Sequence, residues 1–349
     1  MSKLCRFGTH RVIYPLGTLP QTAEKIDNRM ECLDNEILIE VETLNIDSAS
    51  FTQIRSVCKD DLEKMSEMIL DIVATKGKMQ NPVTGSGGML LGKIKEIGKD
   101  YKTDASVGDE VASLVSLSLT PLQIDEIISI DLDKDQVNIK GRAILFETGI
   151  FSVIPDDLPS DIVLSALDVC GAPAQVNQLV KKGDSVLILG AAGKSGILSA
   201  YQAKKNAGKD GKVIGLIHSE DKRADLEKLN VCDHIIVGDA RNPMELYNHV
   251  LEVNNDLVDV TINVVNVSNT EMSSILPTKK TGTVYFFSMA TSFTKSALGA
   301  EGIASEALMI IGNGYTNNHA EFTLNILRES KPVFDLFVKR YGKEKKWKT

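Results

Sequence analysis

Gly190, Gly193 and Gly196 stand at G-x-x-G-x-x-G in the stretch VLILGAAGKSGILSA, between a short apolar run and a segment of helical periodicity. That spacing suits a turn that receives a pyrophosphate. The first glycine turns the chain off a strand, the second lets backbone approach the phosphates, and the third lets helix and strand pack closely. Unpaired N–H groups at the start of the helix then face the anion. Ala192, Lys194 and Ser195 fill the same turn. A purely structural tight turn competes on the glycines alone. The strand before, the helix after and the further βα units downstream favour dinucleotide binding. A Walker loop does not fit, because the long glycine-rich stretch expected before Lys194 is missing.

The strand that follows ends GLIHSEDKR. An acidic residue at that end would hold the adenosine ribose and favour NAD. Here the position is apolar, near Ile217, and His218 and Ser219 come next. Glu220 suits a ribose diol, whereas Ser219 and Arg223 suit a 2′-phosphate. NAD and NADP both stay open, with a slight balance toward NAD. Asn263 and Val265 end VDVTINVVN, and Ser288 ends GTVYFFS. Ligands of doubly wound sheets bind beyond the carboxyl ends of strands, so these residues are expected to border the nicotinamide or its ribose.

A second group of reactive types lies in the first half. TLNIDSASF gathers Asn45, Asp47, Ser48 and Ser50, and NPVTGSGG sets Thr84 and Ser86 among Gly85, Gly87 and Gly88. Clustered glycines before a strand mark a bend, a bulge or a close approach. Asp168 and Cys170 sit in LDVCGAP, where the chain changes rhythm. The plain readings are that Asp47 and Asp168 cap helices and that Cys170 is a small buried residue.

The elements that must position these residues fall into two halves. From residue 36 to 154 the rhythm is that of strands. EILIEVETL alternates strictly from Glu36 to Leu44, and KIKEIG and DEVASLV are shorter strands. A helix over 59–75 interrupts them, with Leu62, Met65, Ile69 and Ile72 at helical spacing. From about residue 184, strands alternate with helices, which indicates βαβ units and a parallel sheet. The predicted class is α/β, a β-rich domain plus a Rossmann doubly wound domain.

Composition narrows the partners. The 349 residues carry a net charge of −8, and an acidic surface does not favour phosphate backbones. The basic tail KRYGKEKKWKT reads as a solvated terminus. No secretory signal and no apolar run long enough to span a membrane are visible. Five scattered cysteines without a C-x-x-C pair read as reduced thiols. A cytoplasmic location is expected, without nucleic acid or membrane as partner. A homodimer is expected from the prevalence of such assemblies.

The β-rich half, then Val107-Gly108-Asp109-Glu110-Val111, then IPDDLPSD, then the glycine turn resemble the medium-chain dehydrogenase/reductase superfamily. That resemblance implies a GroES-like substrate domain over 1–156, a Rossmann domain over 157–306, and a segment 307–349 returning to the first domain. In zinc-dependent members the segment like 85–98 carries a His-Glu pair; here those positions are Gly88 and Met89. TLNIDSASF offers no cysteine, and only Cys170 falls near a family ligand. Zinc needs about three protein ligands, so no zinc is expected.

The start RFGTHRVIYPLGTLPQTAEKIDN, with NEILIEVETLNIDSASFTQI, GKMQNPVTGSGGMLLGKIKEIG and IIGNGYT, is similar to the L-erythro-3,5-diaminohexanoate dehydrogenase family over the whole chain. The resemblance implies NAD(P)-dependent oxidative deamination of that diamino acid to 5-amino-3-oxohexanoate and ammonia, in lysine fermentation. Such a reaction needs a base for the 3-ammonium and an anion for the distal one, since unpaired buried charge is costly. Asp47 and Asp168 are the candidates for these roles. Asn45, Ser48, Thr84, Ser86 and Cys170 are candidates for substrate contact. His10 with Arg11 could meet a carboxylate, His319 the substrate, and Gly312, Asn313 and Gly314 the cofactor. The alternatives are a zinc-free NADPH quinone or enoyl reductase and a non-enzymatic dinucleotide-binding regulator.

Overall fold

The computed structural model describes residues 4–312 and 314–342. Asn313 and the end of the basic tail lie outside the described residues. The chain divides into two units, Met1–Leu164 and Ser165–Thr349.

Unit 1 opens with a small antiparallel pair, β1 (Val12–Tyr14) and β2 (Lys25–Ile26). Its main sheet uses β3 (Glu36–Asn45), β4 (Met89–Ile97), β5 (Glu110–Ser113), β6 (Leu122–Asp131), β7 (Gln136–Phe146) and β8 (Phe151–Val153). The strand order is β6-β7-β3-β4-β5-β8, antiparallel throughout. The alternation expected for β3 holds only at its centre, where Glu40 and Glu42 face solvent. Its ends are buried on both faces.

Two helices, α1 (Ser48–Cys58) and α2 (Leu62–Lys76), fill the connection from β3 to β4. The helix expected over 59–75 is α2. Met65, Ile69 and Ile72 enter the core, whereas Leu62, at its first position, is exposed. Asp61 caps α2 by accepting from the N–H groups of Glu63 and Lys64. The segment before it is the helix α1, which Asp47 caps. Phe51, Ile54 and Cys58 recur at i, i+3 and i+7 and are buried. His10 and Arg11 do not wait for a substrate. Both donate to the buried carboxylate of Glu36, at 2.9 Å from His10 Nε2 and 2.7 Å from Arg11 Nε.

Unit 2 begins around α3 (Ser160–Leu167), within which the boundary falls, and α4 (Gly171–Leu179). There follow β9 (Ser185–Leu189), α5 (Lys194–Ala207), β10 (Lys212–Ile217), α6 (Arg223–Leu229), β11 (His234–Val237), α7 (Pro243–Asn254) and β12 (Val258–Asn263). The unit closes with α8 (Glu271–Ile275), β13 (Thr278–Phe286), α9 (Phe293–Gly302), β14 (Leu308–Ile311), α10 (His319–Glu329) and α11 (Lys331–Tyr341). All six strands are parallel, in the order β11-β10-β9-β12-β13-β14. Counted within the unit this is 3-2-1-4-5-6, the Rossmann order, whose crevice lies where the winding reverses, between β9 and β12.

The final segment, expected to return to the first domain, falls in unit 2. β14 extends the parallel sheet beside β13. α10 packs on α4 and α5, and α11 on α5 and α6. The physical reason is an apolar face on α10, Ala320, Leu324, Ile326 and Leu327, which is buried within unit 2.

Candidate functional site

In unit 1 the register brings the candidate residues together. Asn45 at the end of β3 pairs with Met89 at the start of β4. The glycine loop before β4 must therefore lie against the junction of β3 and α1. Gly88, at φ +96°, makes this possible: a Cβ there would stand 2.1 Å from the carbonyl oxygen of Asn45 and 2.7 Å from the nitrogen of Asp47. The glycine serves the protein's own backbone here, and not the approach of a ligand.

The result is an acidic corner lined with hydroxyls. Asp47 caps α1, its Oδ1 accepting from Ser50 N at 3.0 Å. Its Oδ2 accepts from Ser86 Oγ at 2.7 Å. Ser50 Oγ lies 2.6 Å from Thr84 Oγ1 and 3.1 Å from Ser86 Oγ. Asn81 holds the loop's shape, its Oδ1 accepting from Val83 N and Thr84 N. Asp47, Thr84 and Ser86 thus converge. Asn45 and Ser48 do not join them. Asn45 is buried and accepts from Gln136 Nε2, while Ser48 donates to Asp135 at 2.8 Å. Ser50, gathered with this group in the sequence but given no substrate role there, joins them, three residues after the aspartate that caps α1.

In unit 2 the parallel register sets the ends of β9, β10, β12 and β13 along one edge, with Leu189 beside Leu216 and Asn263 beside Leu189 and Phe286. Gly190 leaves β9 at φ +87°. Gly196 lets α5 press onto the strand, since a Cβ there would stand 2.1 Å from Gly190 O. Gly193 differs from both. Its φ is −79°, and its Cβ would meet nothing nearer than Gly190 O at 3.6 Å. Neither backbone strain nor packing asks for glycine there. An open face beside the first turn of α5, where N–H groups leave the helix ladder, fits the close approach of a dinucleotide's phosphates. Ser195 is buried in that first turn.

His218 and Ser219 follow β10 and are exposed, with the Ser219 hydroxyl donating to the carboxylate of Asp221. Arg223 donates to Glu220 at 2.5 Å. Val265 faces Gly190 across the switch point, its Cγ2 3.0 Å from where a Gly190 Cβ would stand. Ser288, past β13, accepts from Ala290 N.

Four candidates are buried or already paired within the protein. Asn263 is buried; its amide donates to Thr270 Oγ1 and Ser274 Oγ, and its Oδ1 accepts from Val265 N. It shapes the turn that carries Val265 from inside. Cys170 is buried, and that burial, with the charge of Asp168, pushes its thiol up to about 12. It is a packing residue. Asp168 accepts from Lys194 Nζ at 2.7 Å, so the expected base and an expected cofactor contact are ion-paired with each other. His319 is buried, its ring edge against Tyr315, and burial holds it below the ordinary histidine range.

Comparison with known proteins adds to this geometry. Residues 10–155 match the family described as L-erythro-3,5-diaminohexanoate dehydrogenase N-terminal domain. The chain is 58% identical to the L-erythro-3,5-diaminohexanoate dehydrogenase of Acetoanaerobium sticklandii, over 97% of this chain and 99% of that protein. It is 57% identical to the enzyme of the same name from Fusobacterium nucleatum, over 98% of this chain and 100% of that one. Among solved structures it resembles CurK enoyl reductase, at TM-score 0.55 and 15% identity, over 90% of this chain and 81% of the other. A mycobacterial protein complexed with NADPH gives TM-score 0.56 at 16% identity, over 93% of this chain and 87% of the other. These structural likenesses show the fold, a GroES-like unit and a Rossmann unit.

Proposed function

The chain belongs to the L-erythro-3,5-diaminohexanoate dehydrogenase family, an oxidoreductase family acting on CH–NH2 donors, and on that premise we propose how its two sites divide the reaction. The reaction takes the diamino acid, water and an oxidised nicotinamide to 5-amino-3-oxohexanoate, ammonium, the reduced cofactor and a proton. Unit 1 supplies the groups for the diamino acid and unit 2 those for the dinucleotide.

The observation that carries this reading is the corner of Asp47, Ser50, Thr84 and Ser86. A carboxylate among three hydroxyls suits an ammonium, which offers only donors. Asp47 accepts the proton of the 3-ammonium, because only the free amine can become an imine. Ser86, Ser50 and Thr84 pass that proton outward along their hydrogen bonds. A nicotinamide dinucleotide held at Gly193 and the first turn of α5 would supply the acceptor for the hydride from C3. Water then adds to the imine, and ammonia leaves.

Gly193 leaves room for the pyrophosphate, Val265 lies at the switch point, and Asp168 orients Lys194 rather than acting as base. We assign NAD as the preferred form. Arg223 is already engaged by Glu220 and by the Ile235 carbonyl, and the acidic Asp221 stands by Ser219, an arrangement unfavourable to a 2′-phosphate. A zinc-free reaction is supported by Gly88 and Met89 in place of ligands and by the raised Cys170 thiol. Among the described residues no group of three potential metal ligands comes together. A homodimer is supported by the edge strand β14, where Leu308 is exposed, and by the exposed Phe293 and Leu298 on α9. A cytoplasmic location, without nucleic acid or membrane as partner, agrees with five free cysteines and the acidic charge.

The test is the purified protein with 3,5-diaminohexanoate, following reduced-cofactor absorbance with NAD and NADP in separate runs. Faster turnover with NAD is expected. Silence with both, together with oxidation of NADPH by a quinone or an enoyl thioester, would move the protein to the rival class.

A further inference from the structure

The basic tail does more than solvate the terminus. Arg340, in the last turn of α11, donates from Nη1 to the carbonyl oxygen of Ala192 at 2.6 Å. Its Nη2 donates to Asp225 on α6, also at 2.6 Å. Ala192 lies inside the glycine turn, 148 residues from Arg340 in the chain. The guanidinium is largely buried, 15% exposed, and Asp225 is 24% exposed. Hydrogen bonding from Arg340, with Lys339 as a second donor, holds the Asp225 carboxyl below its ordinary range, so the anchor stays charged. The next residue, Tyr341, presents its ring 5.8 Å from Lys194 Nζ, the ammonium that Asp168 holds from the other side.

The peptide joining Ala192 to Gly193 is thereby pinned at both ends. Its carbonyl accepts from Arg340, and its N–H donates to Gly190 O at 3.1 Å. Carbonyls at such a turn repel an anion unless a cation covers them, and a peptide free to rotate would present that oxygen to the phosphates. A planar guanidinium with two fixed donors can hold the carbonyl away and place a full positive charge behind the turn.

We propose that Arg340, braced by Asp225, is a positioning residue for cofactor binding, so that the C-terminal helix sets the affinity of the glycine turn. The inference rests on the reading of that turn as the dinucleotide's phosphate cradle. Arg340 acts through Ala192.

The test compares Arg340→Met, Arg340→Lys, Asp225→Asn and Gly193→Val in the full chain. NADH is titrated by fluorescence, and kinetics are measured with each substrate varied. Arg340→Met should raise the NADH dissociation constant and the KM for NAD about tenfold. The KM for the diamino acid at saturating NAD should stay unchanged. Arg340→Lys should recover part of the affinity, since an ammonium still reaches a carbonyl oxygen. Asp225→Asn should fall between wild type and Arg340→Met. An unchanged dissociation constant in Arg340→Met, with binding lost in Gly193→Val, would overturn the brace while leaving the cradle standing. Unchanged binding in Gly193→Val would overturn the cradle itself. Equal losses in Arg340→Met and Arg340→Lys, tracking their melting temperatures, would reduce Arg340 to a packing residue and also overturn the brace.

Discussion

Two glycine-rich stretches, NPVTGSGG and GAAGKSG, look alike in composition and do opposite work. In the first, Gly88 is consumed by the protein: its φ is positive, and any Cβ would strike the β3–α1 junction. In the second, Gly193 is spent on nothing inside the protein, and its missing side chain leaves an open face at the start of a helix. A glycine whose absent Cβ would clash is structural. One whose absent Cβ would stand in open space, at an ordinary φ, points to a ligand. The chemistry of the first loop therefore lies in Thr84 and Ser86, which Gly88 allows to reach Asp47.

The comparison can be broken most sharply at Gly88. Gly88→Ala should cost more than about 3 kcal/mol, from backbone overlap added to left-handed strain. Denaturant titration reads this, and a cost no larger than that of a surface substitution would make the two turns one kind.

Next in size is Lys78, which precedes the loop in the chain. It is fully buried and donates to the carbonyls of Pro20 and Gln21. Burial, aided by Lys76, pushes it down to about 8. Between that value and its ordinary 10.5, the unfolded chain holds a proton that the folded chain has lost, so stability rises with pH. Relative to Lys78→Met, the wild-type protein should gain up to about 3 kcal/mol as pH rises from about 8 to 10.5. Parallel stability curves for the two proteins would show that Lys78 stays charged in the fold.

Asp47→Asn keeps an acceptor for the cap but removes the base. Wild-type turnover should rise into the alkaline range as the 3-ammonium loses its proton; in the variant it should fall about a hundredfold, with that rise flattened and a loss of stability within about 0.5 kcal/mol. Wild-type turnover across the pH profile would send the search for a base elsewhere. Gly193→Val should weaken NADH binding at least about tenfold, or about 1.4 kcal/mol, while thermal unfolding is unmoved. A loss of stability with intact binding would turn Gly193 into a second Gly88. The smallest effect belongs to Gly85, which has a positive φ but open space around it. Gly85→Ala should cost about 1 kcal/mol, from strain alone, and a cost like that of Gly88→Ala would show that strain, not overlap, governs this loop.

Much of this was readable in advance. The turn at Gly190, Gly193 and Gly196, the alternating βα units and the helix at 62–76 are local patterns, each decided by residues close in the chain. The acidic corner was half readable. Asp47, Ser50, Thr84 and Ser86 carried the right chemistry, but which of the neighbouring polar residues face one another depends on the helix α1, whose apolar spacing is short and interrupted by polar residues. Residue type alone left Asn263, Cys170 and Asp168 open between reactive and structural roles. An amide, a thiol and a carboxylate read as reactive until their partners are known, and those partners are Thr270 and Ser274, the surrounding core and Lys194.

By itself, then, the sequence determined the order of the elements, the phosphate-type turn and the family, because periodicity, glycine spacing and near-full-length identity are properties of the chain in one dimension. Only the tertiary structure decided which glycine leaves room and which is filled, which carboxylate is already paired, and that β14, α10 and α11 complete unit 2. Arg340 makes the reason plain: it reads as one more charge in a basic tail, and it becomes part of the glycine turn only because folding brings its guanidinium within hydrogen-bond reach of Ala192. Pairing of buried polar groups is set by distance in space, which spacing along the chain does not encode once an intervening sheet has folded between the partners.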